Sequence, residues 1–510
     1  MQMYNCLSIL SIWNFELSNQ PNTANPIFSH LAALAAWGMI ALGLILRIRQ
    51  YFSGRSLWLD EAMLALNIVE RDFASLLRPL DYDQGAPIAF LLIEKLITTL
   101  WNGRELALRL FPLLTGCLAL IFFFLLVRKI LNPVGALAAL GLFVVNPQLI
   151  YYASEVKQYS SDVFMTVFLF WLAVKSLLAT ERKPSNSFSL GFVGAVALWF
   201  SHPAFFVLAA IGMVLLLNSL LKRNRQGIFE ALGLGTLWLT SFGVLYLVSL
   251  GQLSSNSFLI EYWRNAFGQN PLNAMLNLFP STAGLDAFAP GLLAISLLGL
   301  VFLIFKQPRL AGIVALVFAF AFLAAWLEKY PFAGRLMLFS VPLLCLLLGA
   351  GVGWLASLSL RPAALSIVLS LILAGWLLYP PAQTSFNQYL SPTYDEHIRP
   401  AMAFLRENHQ PGDTIYIYYW SIPAFRYYAP LYGLEDSHFV EGHDARLPYL
   451  IEEITPLQAQ KRVWLLFSHL PRKSIEKPDA VLRMLSETHQ QTQKEIVPGT
   501  NVYLYLYTLK

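Results

Sequence analysis

The sequence predicts an α-helical polytopic membrane protein with a small α/β domain at its C-terminal end. Of the 510 residues, 57% are hydrophobic and only 13% are charged, whereas ordinary soluble domains carry about 25% charged residues. The charges are also unevenly distributed, because 26 of the 65 Asp, Glu, Lys and Arg residues lie from Ala382 onward. Apolar runs of about 20 residues, the length that crosses a bilayer as a helix, recur before that point.

Eleven apolar runs are predicted to span the membrane. They lie at 30–48, 107–127, 134–151, 160–180, 187–201, 204–221, 228–250, 289–305, 310–327, 336–357 and 363–380. The first run is expected to stay as an anchor, because the 27 residues at the start contain no Lys or Arg and so lack the basic region of a signal peptide. Segment 86–101 is short and carries Glu94 and Lys95, which favours a helix at the membrane interface.

Charge and cysteine content exclude other classes. The net charge is only +5, and most basic residues lie in short loops, so nucleic acid is not an expected partner. The three cysteines, Cys6, Cys117 and Cys345, all precede residue 382, which excludes a disulfide framework or a zinc cluster in the last quarter of the chain.

The basic residues also predict the sidedness of the protein. Ten Lys and Arg residues lie in five short loops on one side, against three on the other, and cytoplasmic loops carry the excess. Arg47, Arg49 and Arg55 break this pattern. The first loop (residues 49–106), the short loops at 152–159, 201–203 and 328–335, and the tail (residues 382–510) are therefore predicted to be extracytoplasmic. Two domains are expected, a transmembrane domain at 1–381 and the tail.

Acidic and polar groups in the first loop are candidates for chemistry. Asp60 and Glu61 are adjacent carboxylates, which can act as a general base or hold a metal ion. The alternative is that Asp60 caps a helix at 61–70 and Glu61 stabilises its first turn. Asp83 and Gln84 precede the interface helix as further polar candidates, although 81–87 also reads as a plain turn.

Three more candidate groups lie in the other outer loops. Glu155, Lys157 and Tyr159 stand between two spans, where the alternative is an aromatic belt with interface charges. Arg335 lies on the side where basic residues are disfavoured, and it could bind phosphate or pair with Glu328. His202, beside Pro203, is a structural or a functional histidine. Two acids and several cations on one membrane face suit a transferase that acts on a lipid-phosphate-linked substrate.

The order of these motifs resembles the GT-C superfamily of membrane glycosyltransferases. It is similar to protein O-mannosyltransferases, aminoarabinose transferases and lipopolysaccharide-core sugar transferases. The matching pieces are Leu59-Asp60-Glu61, Gln84-Gly85-Ala86-Pro87, Arg109 at the start of a span, Tyr151 to Tyr159, Ser201-His202-Pro203 and Tyr330 to Arg335. The sequence departs from the family pattern in lacking His-Pro-Pro at 85–87 and in having Lys157 where many members have arginine.

The resemblance implies a polyprenyl-phosphate sugar donor and inverting transfer outside the cytoplasm, with cell-envelope glycan, lipid or protein as acceptor. By position, Asp60 is the general base and Glu155 the second acid. The expected substrate-binding residues are Glu61, Asp83, Gln84, Arg109, Lys157, Tyr159, His202 and Arg335. The cofactor is unknown, with a divalent metal ion on Asp60 and Glu155 as one option. The expected location is a bacterial inner membrane, with the active site and the tail extracytoplasmic.

Two other functions are compatible with the sequence. A flippase for lipid-linked sugars, or another transporter, would bury ionisable residues at mid-membrane. A non-catalytic scaffold that presents the tail would not need Asp60.

The tail alternates helical and strand patterns. Helices are predicted at 394–409, 450–460 and 475–488, and strands at 414–420, 462–467 and 502–508. His438, His443 and Asp444 could form a metal site, but a polar loop is the favoured interpretation. The tail is expected to recognise the acceptor or to act as a lid.

Overall fold

The structure, a computed structural model, describes residues 26–510 except 102–103, 178–183, 286–287, 363, 393, 395 and 471–475. Cys6 and the predicted cytoplasmic loop with Arg182 and Lys183 lie outside the described residues.

Within the described residues, nine helices are long and apolar enough to cross a membrane. They are His30–Tyr51, the main part of a helix that begins at Pro26, and Glu105–Ile130, Tyr159–Leu177, Ala204–Leu221, Arg225–Leu253, Ala289–Lys306, Pro308–Trp326, Gly334–Ala356 and Ala364–Leu390. Two shorter apolar helices, Pro133–Val144 and Ser187–Phe200, stand where the other two spans are predicted. The chain is an integral, multi-pass membrane protein, as predicted. Of the eleven predicted spans, nine correspond to helices of the described residues that are long enough to cross a membrane.

Small residues set the packing at the centre of the bundle. The Val341–Ala356 helix is buried along most of its length and packs against Pro133–Val144 and Ala289–Lys306. A Cβ atom on Gly135 would lie 2.6 Å from the carbonyl oxygen of Gly349, and one on Gly299 would lie 2.0 Å from that of Leu347. Glycines therefore allow these backbones to approach, as small residues do between membrane helices generally.

The predicted continuous helix at 134–151 is wrong, because the chain breaks after Val144. Asn146 begins a separate helix, Pro147–Tyr152, since its Oδ1 accepts a hydrogen bond from the Leu149 N–H at 2.9 Å. Its Nδ2 donates to the Ala283 carbonyl at 2.6 Å. The break fixes the direction in which the chain enters the Tyr151–Tyr159 loop.

The first loop holds two helices, Leu59–Glu70 and Ile88–Leu100. The second agrees with the helix expected at the interface and is too short to be counted among the spans. Its Glu94 is buried, and burial raises the pKa of that carboxyl well above its usual range. Lys95 is half-buried and donates to the Val69 carbonyl at 2.9 Å, which ties the two helices together.

The tail contains a five-stranded mixed sheet in the order β2-β1-β3-β5-β4. The strands are β1 Thr414–Ile417, β2 Phe439–Glu441, β3 Arg462–Phe467, β4 His489–Ile496 and β5 Tyr503–Leu509. The helices are Arg399–Asn408, Ile422–Tyr428, Leu447–Ile454 and Glu476–Thr488. A small C-terminal α/β unit is confirmed. Strands β2 and β4 and the Ile422–Tyr428 helix were not predicted, because their short or polar sequences carry little periodicity.

The last membrane helix extends beyond its predicted end at 380. It continues through Pro380 and Pro381 to Leu390, and therefore crosses the predicted domain boundary at 381/382. The remaining short helices, Ser257–Tyr262 and Pro271–Asn277, lie between two spans. The two-domain division itself stays a prediction.

The tail and the first loop share one hydrophobic core. Buried side chains of Leu59–Glu70, such as Leu64 and Ile68, lie in the same cluster as Phe425 and Trp464 of the tail. The Ile422–Tyr428 helix packs directly against Leu59–Glu70. The tail is therefore part of the environment that positions the first loop.

Candidate active site

Two carboxylates accept hydrogen bonds from backbone N–H groups at the start of the Leu59–Glu70 helix. Trp58 occupies the N-cap position, and its N–H donates to Oε2 of Glu61 at 3.4 Å. The N–H of Leu59 donates to Oε2 of Glu396, from the tail, at 2.9 Å. Helix-start N–H groups lack partners within the helix, so these bonds stabilise the first turn. The alternative that Asp60 caps the helix is therefore wrong, and its carboxylate is left for other contacts.

Glu61 is the centre of a buried ion cluster. Its Oε2 lies 2.9 Å from Nη1 of Arg55 and 3.0 Å from Nη2 of Arg109. Its Oε1 accepts a further bond from the Val156 N–H at 2.9 Å. All three side chains are at most 5% exposed. The charged groups of Glu61 and Arg109 therefore have a positioning role inside the protein, and their predicted substrate contacts stay predictions.

The same cluster fixes the Tyr151–Tyr159 loop next to the first loop. Arg55 donates to the Ser154 carbonyl at 2.9 Å and to the Tyr151 hydroxyl at 3.1 Å. Its guanidinium carbon lies 4.6 Å from the centre of the Tyr151 ring. Two loops that are almost 100 residues apart in the chain are thereby held together at one end of the bundle.

Asp60 points away from this cluster and forms an ion pair with Arg335. Both side chains are about one-fifth exposed. The Arg335 guanidinium carbon lies 5.0 Å from the Trp58 ring centre and 5.9 Å from that of Tyr159. The alternative that Arg335 pairs with Glu328 is wrong. An arginine near the start of a late span and an aspartate of the first loop therefore share one site.

The charges around Asp60 keep its carboxylate ionised. Burial acts to raise the pKa of Asp60, but the positive charges of Lys157 and Arg335 outweigh it and the pKa is lowered. Lys157 is itself buried, and its Nζ donates to Oε1 of Gln84 at 2.5 Å. The structure thus brings Asp60, Gln84, Lys157, Tyr159 and Arg335 into one neighbourhood.

Glu155 lies in the same neighbourhood with a different electrostatic environment. It is fully buried, and neither of its carboxylate oxygens hydrogen-bonds to any of the described residues. Burial, followed by the negative charge of Glu61, raises the pKa of Glu155 to about 7, against 4.5 for an ordinary glutamate. Glu155 therefore changes protonation in the neutral range, whereas Asp60 does not.

A cavity of about 320 Å³, the main cavity, opens beside these residues. It has the size of a small-molecule site. Its lining combines charged, amide and aromatic side chains: Arg55, Ser56, Trp58, Pro147, Gln148, Tyr151, Tyr152, Glu155, Arg335, Gln388, Tyr394 and Glu396. Hydroxyl-rich ligands are bound by such mixtures, because rings pack on their faces and polar groups accept or donate hydrogen bonds.

A second cavity of about 80 Å³ lies between the first loop and residues 248–256. Apolar side chains make up about half of its lining and polar groups the rest; the apolar part includes Leu76, Leu77, Leu80, Ile88, Leu91 and Leu253. Asp83 and Gln84 also line it, and Asp83 is exposed and accepts a bond from Asn256 Nδ2 at 2.8 Å. Asp83 therefore lies apart from the Asp60–Arg335 pair, and Gln84 connects the two regions.

His202 is not brought into the main cavity. Its Nε2 is buried without a hydrogen-bond partner among the described residues, and burial lowers the pKa of the ring to about 4. A neutral imidazole outside the cavity cannot supply positive charge to a phosphate there. His202 does not line the main cavity, and its predicted phosphate contact stays a prediction.

The acidic groups do not make a metal site as they stand. Asp60 is paired with Arg335, and among the described residues no group of three or more His, Cys, Asp or Glu is placed to hold one ion. In the tail, His443 pairs with Glu453 and Asp444 with Arg446.

Two residues of the tail at the site, Glu396 and His469, were not predicted. They form an ion pair, and Glu396 also lines the main cavity. Neither stands in a recognisable motif. Arg55 also belongs to the site. The signal in the sequence is that it breaks the positive-inside rule.

Comparison with known proteins supports the fold. Residues 85–246 match the family model described as dolichyl-phosphate-mannose-protein mannosyltransferase. ArnT from Cupriavidus metallidurans in the apo state has a TM-score of 0.50 and 15% identity, covering 92% of this chain and 98% of that chain. ArnT from the same organism bound to undecaprenyl phosphate has a TM-score of 0.49 and 14% identity, covering 95% and 98%. Among curated proteins, no sequence matches the chain.

The family match covers the interface helix, the Tyr151–Tyr159 loop and His202, which are motifs on which the sequence resemblance depends. The structural match extends over nearly the whole length of both chains. The chain thus shares the overall fold of ArnT from Cupriavidus metallidurans, and residues 85–246 match the mannosyltransferase family model.

Proposed function

We propose that this protein is a glycosyltransferase that moves a sugar from a polyprenyl-phosphate-linked donor to a hydroxyl group of a glycan, lipid or protein acceptor. The observation that carries the proposal is the Asp60–Arg335 pair beside the main cavity, with Lys157 close by. The reaction needs a base for the acceptor proton and positive charge for the departing phosphate, and one carboxylate and two cations lie together here. We propose that the reaction takes place at the extracytoplasmic face of a bacterial inner membrane.

In the proposed reaction, Asp60 takes the proton of the acceptor hydroxyl as its oxygen attacks the anomeric carbon of the donor sugar. The bond from that carbon to the phosphate oxygen breaks on the opposite side, so the configuration inverts. The electron pair of the broken bond stays on the phosphate. Arg335, with its planar fork of donors, and Lys157 stabilise this negative charge.

The ion pair also supports a role for the donor in activating Asp60. Without donor, Arg335 and Lys157 lower the pKa of Asp60 and make it a weak base. A donor phosphate competes for the same two cations, because arginine binds phosphate and carboxylate with similar geometry. Asp60 then becomes more basic when the donor is in place.

The second cavity offers a place for the phosphate-proximal end of the polyprenyl chain. Its leucine and isoleucine lining suits a hydrocarbon, and Gln84 connects it to Lys157. The description of the matching family names a dolichyl-phosphate donor, which is a polyprenyl-type lipid. The main cavity, with its amides and rings, then receives sugar and acceptor.

The placement of buried charges argues against a transporter. Transporters bury ionisable groups near mid-membrane. In the described parts of the spans, the fully buried charged residues are Arg47, Arg109 and Asp162, and each lies about one turn from a helix end. These three ends belong to the side on which the main cavity opens, which favours chemistry at one face of the membrane.

The test is a transfer assay with the full-length protein in lipid vesicles and a panel of undecaprenyl- and dolichyl-phosphate-linked sugars. Mass spectrometry of envelope glycans from cells with and without the protein identifies the acceptor. Replacing Asp60 by Asn is expected to lower the rate of transfer about 10²–10⁴-fold, the usual contribution of a general base. Asp436→Asn, an exposed tail position, is the matched control.

The Asp60→Asn protein should still unfold near the wild-type temperature, because its neutral amide can accept from Arg335. Unchanged transfer by this variant would support the scaffold interpretation instead. Transport of the lipid-linked sugar across the vesicle membrane without transfer to any acceptor would support the transporter.

A further inference from the structure

The tail reaches the first turn of the Leu59–Glu70 helix through Glu396. This side chain is 8% exposed, and its Oε2 accepts the Leu59 N–H at 2.9 Å. Its other oxygen, Oε1, pairs with Nδ1 of His469. One carboxylate of the tail therefore holds the residue that precedes Asp60, and a histidine of the tail holds that carboxylate.

His469 is held in an unusual backbone conformation two residues after the end of strand β3. Its φ of 53° lies in the left-handed region, which non-glycine residues seldom adopt and which concentrates at functional sites. Its ring centre lies 6.5 Å from that of Trp58 and 6.2 Å from that of Trp420. The strained backbone turns the ring toward the first loop.

Trp58 connects the histidine to the catalytic pair. One of its contacts is with the His469 ring, and another is with the Arg335 guanidinium carbon, 5.0 Å from the ring centre. Arg335 in turn pairs with Asp60. The His469–Glu396 pair therefore contacts the Asp60 region twice, through the Leu59 backbone and through the Trp58 ring.

We propose that the His469–Glu396 pair of the tail is a positioning element that orients Asp60 and Arg335, and that sugar transfer depends on a proton carried by His469. The proposal rests on the proposed transferase function and assigns the tail a direct part in it. Neither residue needs to touch the reacting atoms.

The electrostatics agree with a protonated His469. Burial acts to lower the pKa of this imidazole, but the hydrogen bond and charge of Glu396, with the charge of Asp60, outweigh it and the pKa is raised. Glu396 and Asp60 are the charged groups that act on it, one from the tail and one from the first loop. When pH rises through the pKa of His469, the ring becomes neutral and its attraction to both carboxylates is lost.

The experiment compares kcat/KM against pH for the wild type and His469→Asn. Asparagine tolerates the left-handed backbone but carries no charge. We expect the variant to be at least tenfold slower below pH 6.5, with a difference that shrinks as pH rises through the pKa of His469. His443→Asn is the matched control, because His443 also pairs with a tail glutamate but is 85% exposed and does not line the main cavity.

A second variant, Glu396→Gln, keeps an acceptor for the Leu59 N–H but removes the charge that faces His469. In this variant, we expect the fall of kcat/KM at alkaline pH to begin at a lower pH than in the wild type. A purely structural role of Glu396 would not produce this shift. The inference is overturned if the ratio of wild-type to His469→Asn kcat/KM stays constant across pH. It is also overturned if the alkaline fall of kcat/KM in Glu396→Gln is not shifted. Absence of transfer by the wild type overturns the proposed function and this inference together.

Discussion

At the scale of single residues, several of the arginines that break the positive-inside rule have ion-pair or hydrogen-bond partners inside the protein. Arg55 and Arg335 both lie on the side where the positive-inside rule disfavours them, and they pair with Glu61 and Asp60. Arg47, a third exception, is buried and donates to the carbonyls of Gly43 and Phe143 at 3.0 and 3.4 Å. Topology alone does not place these charges, so local contacts explain them.

The Glu61 cluster predicts a large loss of stability on removal of one charge. Glu61→Gln leaves Arg55 and Arg109 buried without a counter-charge, and breaking a buried ion pair in this way costs about 3–5 kcal/mol. The midpoint of thermal unfolding in detergent should fall markedly. Glu70→Gln, at the exposed end of the same helix, should leave it unchanged. An equal midpoint for both variants would contradict the positioning role.

Glu155 predicts a pH-dependent stability. Above pH 4.5 the carboxyl ionises in the unfolded chain, but in the folded protein it stays protonated up to a pKa of about 7. The wild type should therefore lose stability as pH rises from about 4.5 to 7, with no further change above. Across this interval, the unfolding midpoint of the wild type should fall increasingly below that of Glu155→Gln. A constant difference would show that the carboxyl titrates normally.

At the scale of elements, the site depends on where helices begin and how closely they pack. The Leu59–Glu70 helix is buried from 61 to 68, and Asp60 is the partly exposed residue of its first turn. One residue of shift at the helix start would rotate this carboxylate by about 100°. Trp58, Glu61 and Glu396 together determine that start.

The central helix pair predicts a packing effect at Gly349. A Cβ atom there would lie 2.5 Å from the Ala139 Cβ and 2.6 Å from the Gly135 carbonyl oxygen, so Gly349→Ala must push two backbones apart. We expect a loss of about 1–3 kcal/mol, typical of overpacking, measured as a lower unfolding midpoint in detergent. Gly375→Ala, where no atom lies within 4 Å, should be neutral. Equal midpoints would mean that the helices are not in this contact.

At the scale of the whole molecule, the tail is an integral part of the structure around the candidate active site. It shares a core with the first loop and contributes Glu396 to the main cavity. Tyr428 of the tail accepts the Leu57 N–H at 2.8 Å and pairs with Glu105. The membrane part and the tail are therefore expected to unfold together.

The shared core makes this expectation testable at Phe425. Phe425→Ala removes a buried ring from the tail helix that packs on Leu59–Glu70, which should cost about 3–5 kcal/mol. Transfer activity should fall with stability, because the helix that carries Asp60 loses its support. Leu431→Ala, an exposed tail position, is the control. Full activity in a Phe425→Ala protein with a disordered tail would mean that the tail is dispensable.

Much of the fold was predictable because immersion in lipid constrains each segment separately. A run of apolar residues indicates a membrane span regardless of how the rest of the chain folds. The predicted runs correspond to the observed helices from His30–Tyr51 to Ala364–Leu390. The breaks and ends were harder to predict. The Asn146 break and the extension to Leu390 depend on contacts with Ala283 and with neighbouring helices, which hydropathy does not contain.

The sequence by itself determined the membrane class, the order of the spans and the motifs that resemble GT-C enzymes, because these are local properties of composition and spacing. Only the tertiary structure decided that Asp60 meets Arg335, 275 residues later, and that Glu61 is buried between two arginines. It also decided that Glu396 and His469 join the site from the tail. Such pairings depend on how distant elements pack, and no short stretch of the chain encodes them.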